Sequence, residues 1–553
     1  MRTVTDETSS SPPGALPRAR TRAAGPAVAA LCGLAAAAAA VGAGEAAAAF
    51  TRPQASPVVA IGSAAIDLAP TAVKTWAVQR FGTGDKAVLL GGIYTVMGLA
   101  AAALGVLAVR RRGAAAALFA AFGGLGAWAA LARPQAVPTD LLPSAAAAGG
   151  AVAVLWWLTR PAFSPGLSPD PSPGPSSGPS SDPSSGPSPG SGPVRPTGPG
   201  RRRVLAAGAT IGAAAALGTA GRVLSDRRGD VSAARAAVRL PPPLRPAPPL
   251  PRAVGATVPG LPPFITPTAD FYRVDTALTL PRIDPRAWSL RLHGLVDRPL
   301  LIGFDDLLAL GLEELDHTLS CVSNEVGGPY AGTTRWLGAS LPALLRRAGV
   351  RSGAEQLVGR SQDGMTIGTP VETLLDGRQA LLAVAMNGEA LPVEHGFPCR
   401  TVVPGLYGYT SATKWLVDLE VTTFAARDPY WVQRGWDRTG EVRTASRIDV
   451  PAPFARVPPG DVTVAGTAWA THRGIAAVEV RVDGGPWRQA ELAADAGPDL
   501  WRQWTHTWTG AAPGTHRLEA RATDGTGAVQ PATRTPPYPS GATGWHSVVV
   551  TVT

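Results

Sequence analysis

Cysteine is scarce in this chain: three residues, Cys32, Cys321 and Cys399, in 553. They lie far apart, and neither a Cys-x-x-Cys pair nor a mixed Cys/His zinc spacing can be assembled from them, which excludes a disulfide scaffold and a structural zinc site. Histidine is missing from the whole first half, since all seven (His293, His317, His395, His472, His506, His516, His546) come later. Apolar helices in that half therefore lack the usual axial ligands for haem. No glycine fingerprint for dinucleotides or nucleotide phosphates occurs. A continuous basic stripe is absent as well. The net charge is +10, but arginines cluster at Arg110 to Arg112 and Arg201 to Arg203, beside apolar runs. Such clusters act as membrane topology signals and give no support to nucleic-acid binding.

What is present is length enough for three or four domains of roughly 100–200 residues each. Five runs without a charged side chain approach or reach the roughly 20 residues that cross a hydrocarbon core. They are Ala23 to Gly44, Ala87 to Val109, Gly113 to Ala132, Leu141 to Thr159 and Val204 to Gly221. Alanine-rich low-complexity sequence is the alternative. Charge placement favours spans: with Arg18, Arg20 and Arg22 inside, alternate crossings leave Arg110 to Arg112, Arg160 and Arg201 to Arg203 inside too. Five crossings then export everything after residue 222. Pro57 to Phe81 is interrupted by Asp67, Pro70 and Lys74, so it is expected in an outer loop or partly inserted, and not as a sixth span. The lack of charge within the runs argues against transport.

The expected organisation is multi-domain: an α-helical membrane bundle, a mixed α+β domain and an all-β immunoglobulin-like sandwich. A cytoplasmic tail (1–22) precedes a four-helix transmembrane region (23–160) and a Pro/Ser/Gly tether (161–200) whose composition cannot bury a core. A fifth transmembrane helix (201–222) opens with Arg201-Arg202-Arg203-Val204-Leu205, similar to a twin-arginine export signal, with a plain positive-inside anchor as the alternative. A Pro-rich linker (223–263) leads to the α+β domain (264–450). There, strands (Trp288 to Leu292, Ala380 to Met386, Arg400 to Pro404, Lys414 to Thr422) alternate with helices (Phe304 to Ala309, Leu341 to Ala348), and Asn387-Gly388 predicts a hairpin. The module at 460–553 is all strand, with a hairpin signal at Asp483-Gly484-Gly485.

One segment carries chemistry: Thr318-Leu319-Ser320-Cys321-Val322-Ser323-Asn324-Glu325-Val326-Gly327-Gly328, an apolar strand running into a Cys and then a polar, glycine-rich loop. A strand end of this kind presents a thiolate to a pocket, although a solitary Cys is more often a small buried hydrophobe. Its neighbours decide. Cys321 with Asn324, Arg335-Trp336-Leu337-Gly338, Met386-Asn387-Gly388-Glu389-Ala390-Leu391-Pro392 with His395-Gly396-Phe397-Pro398-Cys399-Arg400 and Val403-Pro404-Gly405, and Lys414-Trp415-Leu416 follow in an order that resembles the sulfite oxidase family of molybdopterin enzymes, over about 264–545.

The resemblance implies a bis-oxo molybdenum pyranopterin cofactor, with Cys321 as metal ligand, because a soft thiolate suits such a centre. It assigns cofactor binding to Arg273, Asn324, His395, Arg400 and Lys414, where Arg offers a bidentate fork and Lys a point charge. Arg335 and Arg473 are the expected catalytic cations near substrate. It also implies a dimerisation-type C-terminal module and a possible homodimer. No haem or iron–sulfur motif is present, so a separate electron carrier, a cytochrome or a quinone-linked protein, is expected. The chain departs from the family pattern at Glu325 and Val326, where sulfite-oxidising members carry two arginines, and at Thr276, where they have a His. Tyr430-Trp431-Val432-Gln433-Arg434-Gly435-Trp436 also lacks a clean counterpart of their tyrosine near the metal. A less anionic substrate follows, a small oxyanion or a sulfoxide, with oxygen-atom transfer in either direction. A non-enzymatic exported binding protein is the alternative. Cys399 is expected in the core, with a Cys321–Cys399 disulfide as the rival. The predicted location is the plasma membrane, multi-pass, with the catalytic domain outside the cytoplasm.

Overall fold

The computed structural model describes residues 25–81, 84–133, 136–160 and 199–553. The expected tail (1–22) and the tether up to residue 198 lie outside the described residues. Among the described residues, five helices are long and apolar enough to cross a membrane: α1 (Pro26–Ala48), α4 (Asp85–Arg110), α5 (Arg112–Leu131), α6 (Leu141–Leu158) and α7 (Pro199–Arg228). Between α1 and α4 the chain forms two shorter helices, α2 (Pro57–Leu68) and α3 (Thr71–Phe81), broken at Pro70. Proline lacks the amide hydrogen that would continue α2.

Small residues let the helix backbones touch. A Cβ on Gly33 of α1 would stand 1.9 Å from the Ala101 carbonyl oxygen of α4, and one on Gly105 would stand 2.1 Å from the Ala29 oxygen. Gly42 of α1 is equally tight against α7, where the Ala214 oxygen lies 2.6 Å from its would-be Cβ. The sequence closes the first apolar run at Gly44, but α1 continues to Ala48 and so contains Glu45. Glu45 is buried, accepts a hydrogen bond from Ser56 Oγ at 2.9 Å and pairs with Arg222 of α7 at 3.2 Å. This helix end therefore carries charge, neutralised by a partner from another helix, as burial of a carboxylate demands.

The second half opens with α8 (Ser232–Ala237), then builds two five-stranded sheets. One sheet contains β1 (Ser289–Gly294), β2 (Leu300–Gly303), β5 (Gln356–Ser361), β6 (Thr366–Pro370) and β10 (Leu416–Thr422), in the order β2-β1-β10-β5-β6. The other runs β3-β4-β7-β8, made of β3 (Leu312–Ser320), β4 (Ala331–Ser340), β7 (Leu381–Met386) and β8 (Glu389–Ala390), with β9 (Arg400–Val402) paired to β7. Every residue of β7 is buried, since both its faces are covered. Asn387 and Gly388 both take positive φ, 49° and 83°, and turn β7 into β8 as their sequence predicts. The helices α9 (Phe304–Ala309) and α10 (Leu341–Ala348) match their predicted spans. Ser340 caps the start of α10 and Gly349, at φ 73°, ends it.

The last domain is a sandwich of two antiparallel-rich sheets. Its strands are β11 (Ala445–Val450), β12 (Arg456–Val457), β13 (Gly460–Trp469), β14 (Ile475–Val482), β15 (Arg488–Gln489), β16 (Glu491–Leu492), β17 (Arg502–Ala511), β18 (Gly514–Asp524) and β19 (His546–Val552). It begins earlier than the expected residue 460, because β11 pairs with β13 over Ala445 to Val450 and belongs to this layer. The Pro-rich segment 223–263 also differs from a free linker. Leu244 N donates to Leu312 O at 2.7 Å, Glu314 N to Arg245 O at 2.9 Å, and Ala494 N to Ala253 O at 2.9 Å. Gln503 clasps the strap from both sides, accepting from Ala256 N and donating to Pro262 O. Proline-rich backbone retains carbonyl acceptors, and both folded domains use them.

The Gly33–Gly105 crossing generates a test. Gly33→Val forces α1 and α4 apart, an overpacking cost of about 1–3 kcal/mol that lowers the melting temperature by roughly 3–8 °C in detergent. Gly91→Val, at a position with nothing within 4 Å, leaves it unchanged apart from propensity.

Candidate active site

Strand β3 ends at Ser320, and Cys321 continues its pairing by donating N–H to Tyr330 O at 2.9 Å. The strand is buttressed from behind by the sandwich: Thr318 N donates to Asp499 O at 2.9 Å, and Trp501 N donates to Thr318 Oγ1 at 2.7 Å. Cys321 is thereby held at a fixed strand end with its thiol on a cavity of roughly 280 Å³. Burial pushes this thiol up, while hydrogen bonds from Ser323 and the charge of Lys414 pull it down. Cys32, Cys321 and Cys399 are all free thiols, and Cys399 sits fully buried in the core beneath the two sheets.

Three cationic or polar groups expected at a cofactor meet this cavity. Arg400, at the start of β9, is 2 % exposed, and its guanidinium stacks 4.9 Å from the centroid of Trp336. Its hydrogen bonds go to two main-chain carbonyls, those of Thr401 and His395, and no carboxylate pairs with it among the described residues. Burial pushes it down to about 10, the signature of a charge held in the interior without a counter-ion. His395 packs edge-on against Phe271 and is pushed down to about 3 by burial, Lys414 and Arg400, so its ring is neutral. Lys414 donates to Glu394 O at 3.0 Å and to Asp275 at 3.2 Å. Burial brings its ammonium down to about 8 even though Asp275 pulls the other way.

Asp275 is the hub of this corner. Arg273 Nε donates to it at 2.8 Å, Lys414 at 3.2 Å, and Lys86 of α4 at 2.5 Å. Burial alone would raise its carboxyl, but Lys414, Arg273 and Lys86 together hold it well below the usual carboxylate range. Arg273 itself is not on the cavity wall and reaches the site through Asp275. Tyr272 is on the wall, its hydroxyl raised by burial and by the neighbouring Cys321.

Three expected site residues stand elsewhere. Arg335 lies opposite Asp316 in the β3–β4 ladder and makes a bidentate pair with it at 2.8 Å and 2.8 Å, with Glu314 at 3.8 Å. Arg473 belongs to the sandwich and is tied to Asp524 at 2.9 Å and to Val442 O at 2.9 Å. Asn324 closes the loop after Cys321, accepting from Tyr330 N at 2.9 Å, and with Glu325 and Val326 lines a separate small cleft against the sandwich. Arg360 of β5 likewise pairs with Asp418 at 3.3 Å. The physical reason is common to the arginines: each has a carboxylate at cross-strand or loop distance, and a planar guanidinium takes it.

The far side of the cavity comes from the first half of the chain. Ala65 and Ile66 of α2, Ala69 just after it, Val73, Lys74 and Ala77 of α3, and Lys86 and Leu89 of α4 roof it. Tyr430 fastens this roof, donating to Asp67 at 2.8 Å and accepting from Lys74 at 3.1 Å. Trp431 and Trp436, neighbours of Tyr430 in sequence, line the wall below. Asp275, Tyr272 and the roof are not singled out by sequence. The first two stand inside the quoted Phe271 to Thr276 segment, whereas nothing in the spacing links Lys86 to a site nearly two hundred residues away.

Comparison with known proteins matches residues 277–431 to the oxidoreductase molybdopterin binding domain and residues 446–520 to the bacterial Ig domain. Chicken (Gallus gallus) sulfite oxidase is 31 % identical over 317 residues, covering 48 % of this chain and 68 % of that protein. The uncharacterized oxidoreductase YuiH of Bacillus subtilis is 34 % identical over 158 residues, 29 % of this chain and 76 % of its own. Among solved structures, the sulfane dehydrogenase SoxCD of Paracoccus pantotrophus aligns with 26 % identity and a TM-score of 0.46, covering 53 % of this chain and 84 % of that one. A strand-end thiol beside a buried, carboxylate-free arginine, in a domain of this match, leads to one conclusion: the chain belongs to the sulfite oxidase family of molybdopterin-dependent oxidoreductases, with a C-terminal immunoglobulin-like domain, and is a molybdenum-dependent enzyme.

Proposed function

We propose that this protein is a membrane-anchored enzyme that carries out oxygen-atom transfer at a molybdenum ligated by Cys321, outside the cytoplasm. The observation that carries it is the convergence of the Cys321 thiol, the buried Arg400 and the Lys414–Asp275–Arg273 cluster on one cavity. Those residues fit the group: a thiolate donor for the metal, and a cationic recess for an anionic pterin phosphate. When bound, the oxo-molybdenum pterin supplies two-electron oxygen-atom chemistry. The chain's own part is to hold and to exclude. Cys321 would hold the metal against β3, Arg400 and Lys414 would neutralise the anionic end, and neutral His395, one ring nitrogen of which is taken by the Thr268 backbone, would offer the other to the pterin edge. Trp415, Trp431 and Trp436, with the helical roof, keep bulk water from the reacting atoms.

The placement of the other arginines supports a weakly anionic or neutral substrate. Arg335 and Arg473 are engaged by Asp316 and Asp524, Glu325 faces a different cleft, and the wall opposite Cys321 is mostly apolar. A neutral sulfoxide, reduced at this centre, suits such a wall better than a small dianion, because a desolvated anion needs paired charge. Electrons are exchanged with a separate carrier, a cytochrome or a quinone-linked protein. The sandwich is the candidate surface for a homodimer.

For location, α1, α4, α5, α6 and α7 form the anchor, and Arg110 to Arg112, Arg160 and Arg201 to Arg203 sit at the helix ends away from the catalytic domain. That distribution supports the inside-positive orientation with the active site outside. The Arg201-Arg202-Arg203 start of α7 is the export signal of this reading, suited to a domain that folds round its cofactor first.

Two outcomes check it. In the full chain made in a molybdopterin-producing host, Cys321→Ala lowers bound molybdenum at least about tenfold and alters the metal-centre absorption, read by elemental analysis and visible spectroscopy; wild type without molybdenum and pterin refutes the reading. In turnover assays with artificial electron carriers, a neutral sulfoxide gives the higher kcat/KM, about tenfold or more above that for sulfite; the reverse order restores sulfite as substrate. A pH effect follows too. Lys414 loses its proton as pH rises through about 8, and a bound anion moves that point upward. Cofactor release into a filtrate therefore accelerates above pH 8, and Lys414→Arg, charged throughout, shifts the rise to higher pH.

A further inference from the structure

A second cavity, of about 100 Å³, lies inside the helix bundle, walled by α1, α2, α4, α5 and α6. Its lining runs along α1 from Ala37 to Glu45, which at roughly 1.5 Å per residue makes a slot about 12 Å long. The walls are apolar except at one end, where Glu45 and Ser56 stand. Glu45 is 8 % exposed, and Ser56 and Arg222 both donate to its Oε1, at 2.9 Å and 3.2 Å. Its Oε2 takes no hydrogen bond among the described residues. A carboxylate oxygen left so at the end of an apolar cavity costs about 1–3 kcal/mol until a donor reaches it. Towards mid-bundle the slot meets the outer surface beside Phe122 of α5, which is 49 % exposed. The slot also adjoins the Cys321 cavity. Ile61 of α2 lines the slot, and Ala65, one turn further on the same face, lines the Cys321 cavity. Leu89 and Met97 of α4 are divided between the two cavities in the same way, with Ile93 between them on that face. On these two helices the cavities are parted by one apolar layer at Gly62, where a Cβ would stand 2.8 Å from Leu278 Cδ1 and 3.4 Å from Ile93 Cδ1.

We propose that this slot binds an isoprenoid quinol, which the chain holds in its own membrane half and oxidises for the reaction at Cys321. This rests on the molybdenum reading above, and it makes a lipid-soluble molecule the electron carrier of that reading. Three requirements coincide in such a molecule. Its hydroxyl donates to the idle oxygen of Glu45, its tail suits the apolar walls and leaves past Phe122, and it carries the two electrons and two protons that a sulfoxide consumes. Other hydroxyl-bearing lipids meet only the first two. Glu45 accepts a proton from the hydroxyl it faces and releases it at the helix end, where the side chain of its partner Arg222 is 55 % exposed. The second proton also leaves to water, and the quinol becomes the quinone. Two electrons cross the layer of Leu278 and Ile93 to the cofactor. At the Cys321 cavity the sulfoxide takes two electrons and two protons from water, its S–O bond breaks, and the oxygen leaves as water. Quinol and sulfoxide thus give quinone, sulfide and water.

The test uses the full chain in quinone-free detergent, from a molybdopterin-producing host, as wild type, Ala40→Leu and Glu45→Gln, with circular dichroism and melting temperature alongside. Decylubiquinone and phylloquinone are the probes, and an azido derivative of each marks the peptides it touches, read by mass spectrometry. Wild type is expected to bind a probe saturably, with the label on α1, α4 and α5 round the slot. Ala40→Leu, which adds bulk to the slot wall, weakens binding about tenfold. In Glu45→Gln the ratio of quinol-driven turnover to turnover driven by reduced viologen, a donor that reaches the Cys321 cavity from water, falls at least about tenfold. No saturable binding of either probe, label elsewhere on the chain, or folded Ala40→Leu with wild-type affinity overturns the proposal. Glu45→Gln with a lower melting temperature and an unchanged ratio overturns it as well, because Glu45 then serves only its pair with Arg222. So does a phospholipid that displaces the label as readily as unlabelled quinone, the slot then being an ordinary lipid site. Should Ala40→Leu not fold, the label map of wild type decides. Wild type without molybdenum and pterin defeats the molybdenum reading and the donor role with it, whereas loaded wild type that turns over with viologen and binds no quinone defeats this inference alone.

Discussion

The structure is organised round a cost: positive charge buried where water cannot reach it. Among the described residues, Arg400 is enclosed by carbonyl oxygens and the face of Trp336, and Lys414 gives up part of its proton affinity to burial. An isolated cation in the interior costs several kcal/mol, which makes Arg400 the most demanding group of the cavity, whereas Lys414 beside it is offset by Asp275. Much else serves that requirement. Strand β3 is braced by the sandwich through Thr318 and Trp501, the β7–β8 hairpin brings His395 and Arg400 round to the same side, and Asp275 disciplines the remaining cations.

A good deal of this could be seen in the residues themselves. Helices α9 and α10, the Asn387-Gly388 turn and the long apolar helices follow from local pattern, because capping residues, turn dipeptides and unbroken apolar runs act over a few neighbours. The strand-to-loop change at Cys321 was equally local. Other features depend on partners distant in sequence. Whether an arginine serves a pocket or a carboxylate is decided by the strand beside it, and Arg335 meets Asp316 only through the β3–β4 register. Arg473 meets Asp524 in the same manner, because the β14–β18 pairing sets Ile475 opposite Asp524. The Pro-rich segment 223–263, expected as a linker, shows a related dependence: composition does not tell that two folded domains will bind its carbonyl groups.

Asn324 shows how a motif position can have a structural explanation that suffices. Its side chain closes the loop from Cys321 to Tyr330, and Gly328 leaves the space, since a Cβ there would stand 2.5 Å from its oxygen. The loop geometry, and so the direction in which Cys321 faces, depends on this closure. A residue three places from the proposed metal ligand can thus matter through the loop geometry alone.

The strap between α7 and the catalytic domain has a mechanical meaning. Because residues 244–262 are hydrogen-bonded to β3 and to the sandwich, the domain cannot swing about a flexible stalk. Together with the ties from Tyr430 to α2 and α3, it fixes the height and tilt of the Cys321 cavity relative to the helices that roof it. In a bilayer the pocket would then face the lipid headgroups at constant distance, with its approaches closed from below. With the proposed anchoring, molecules reaching Cys321 would arrive sideways, along the seam between protein and membrane surface, and the search for the site would become closer to two-dimensional than three.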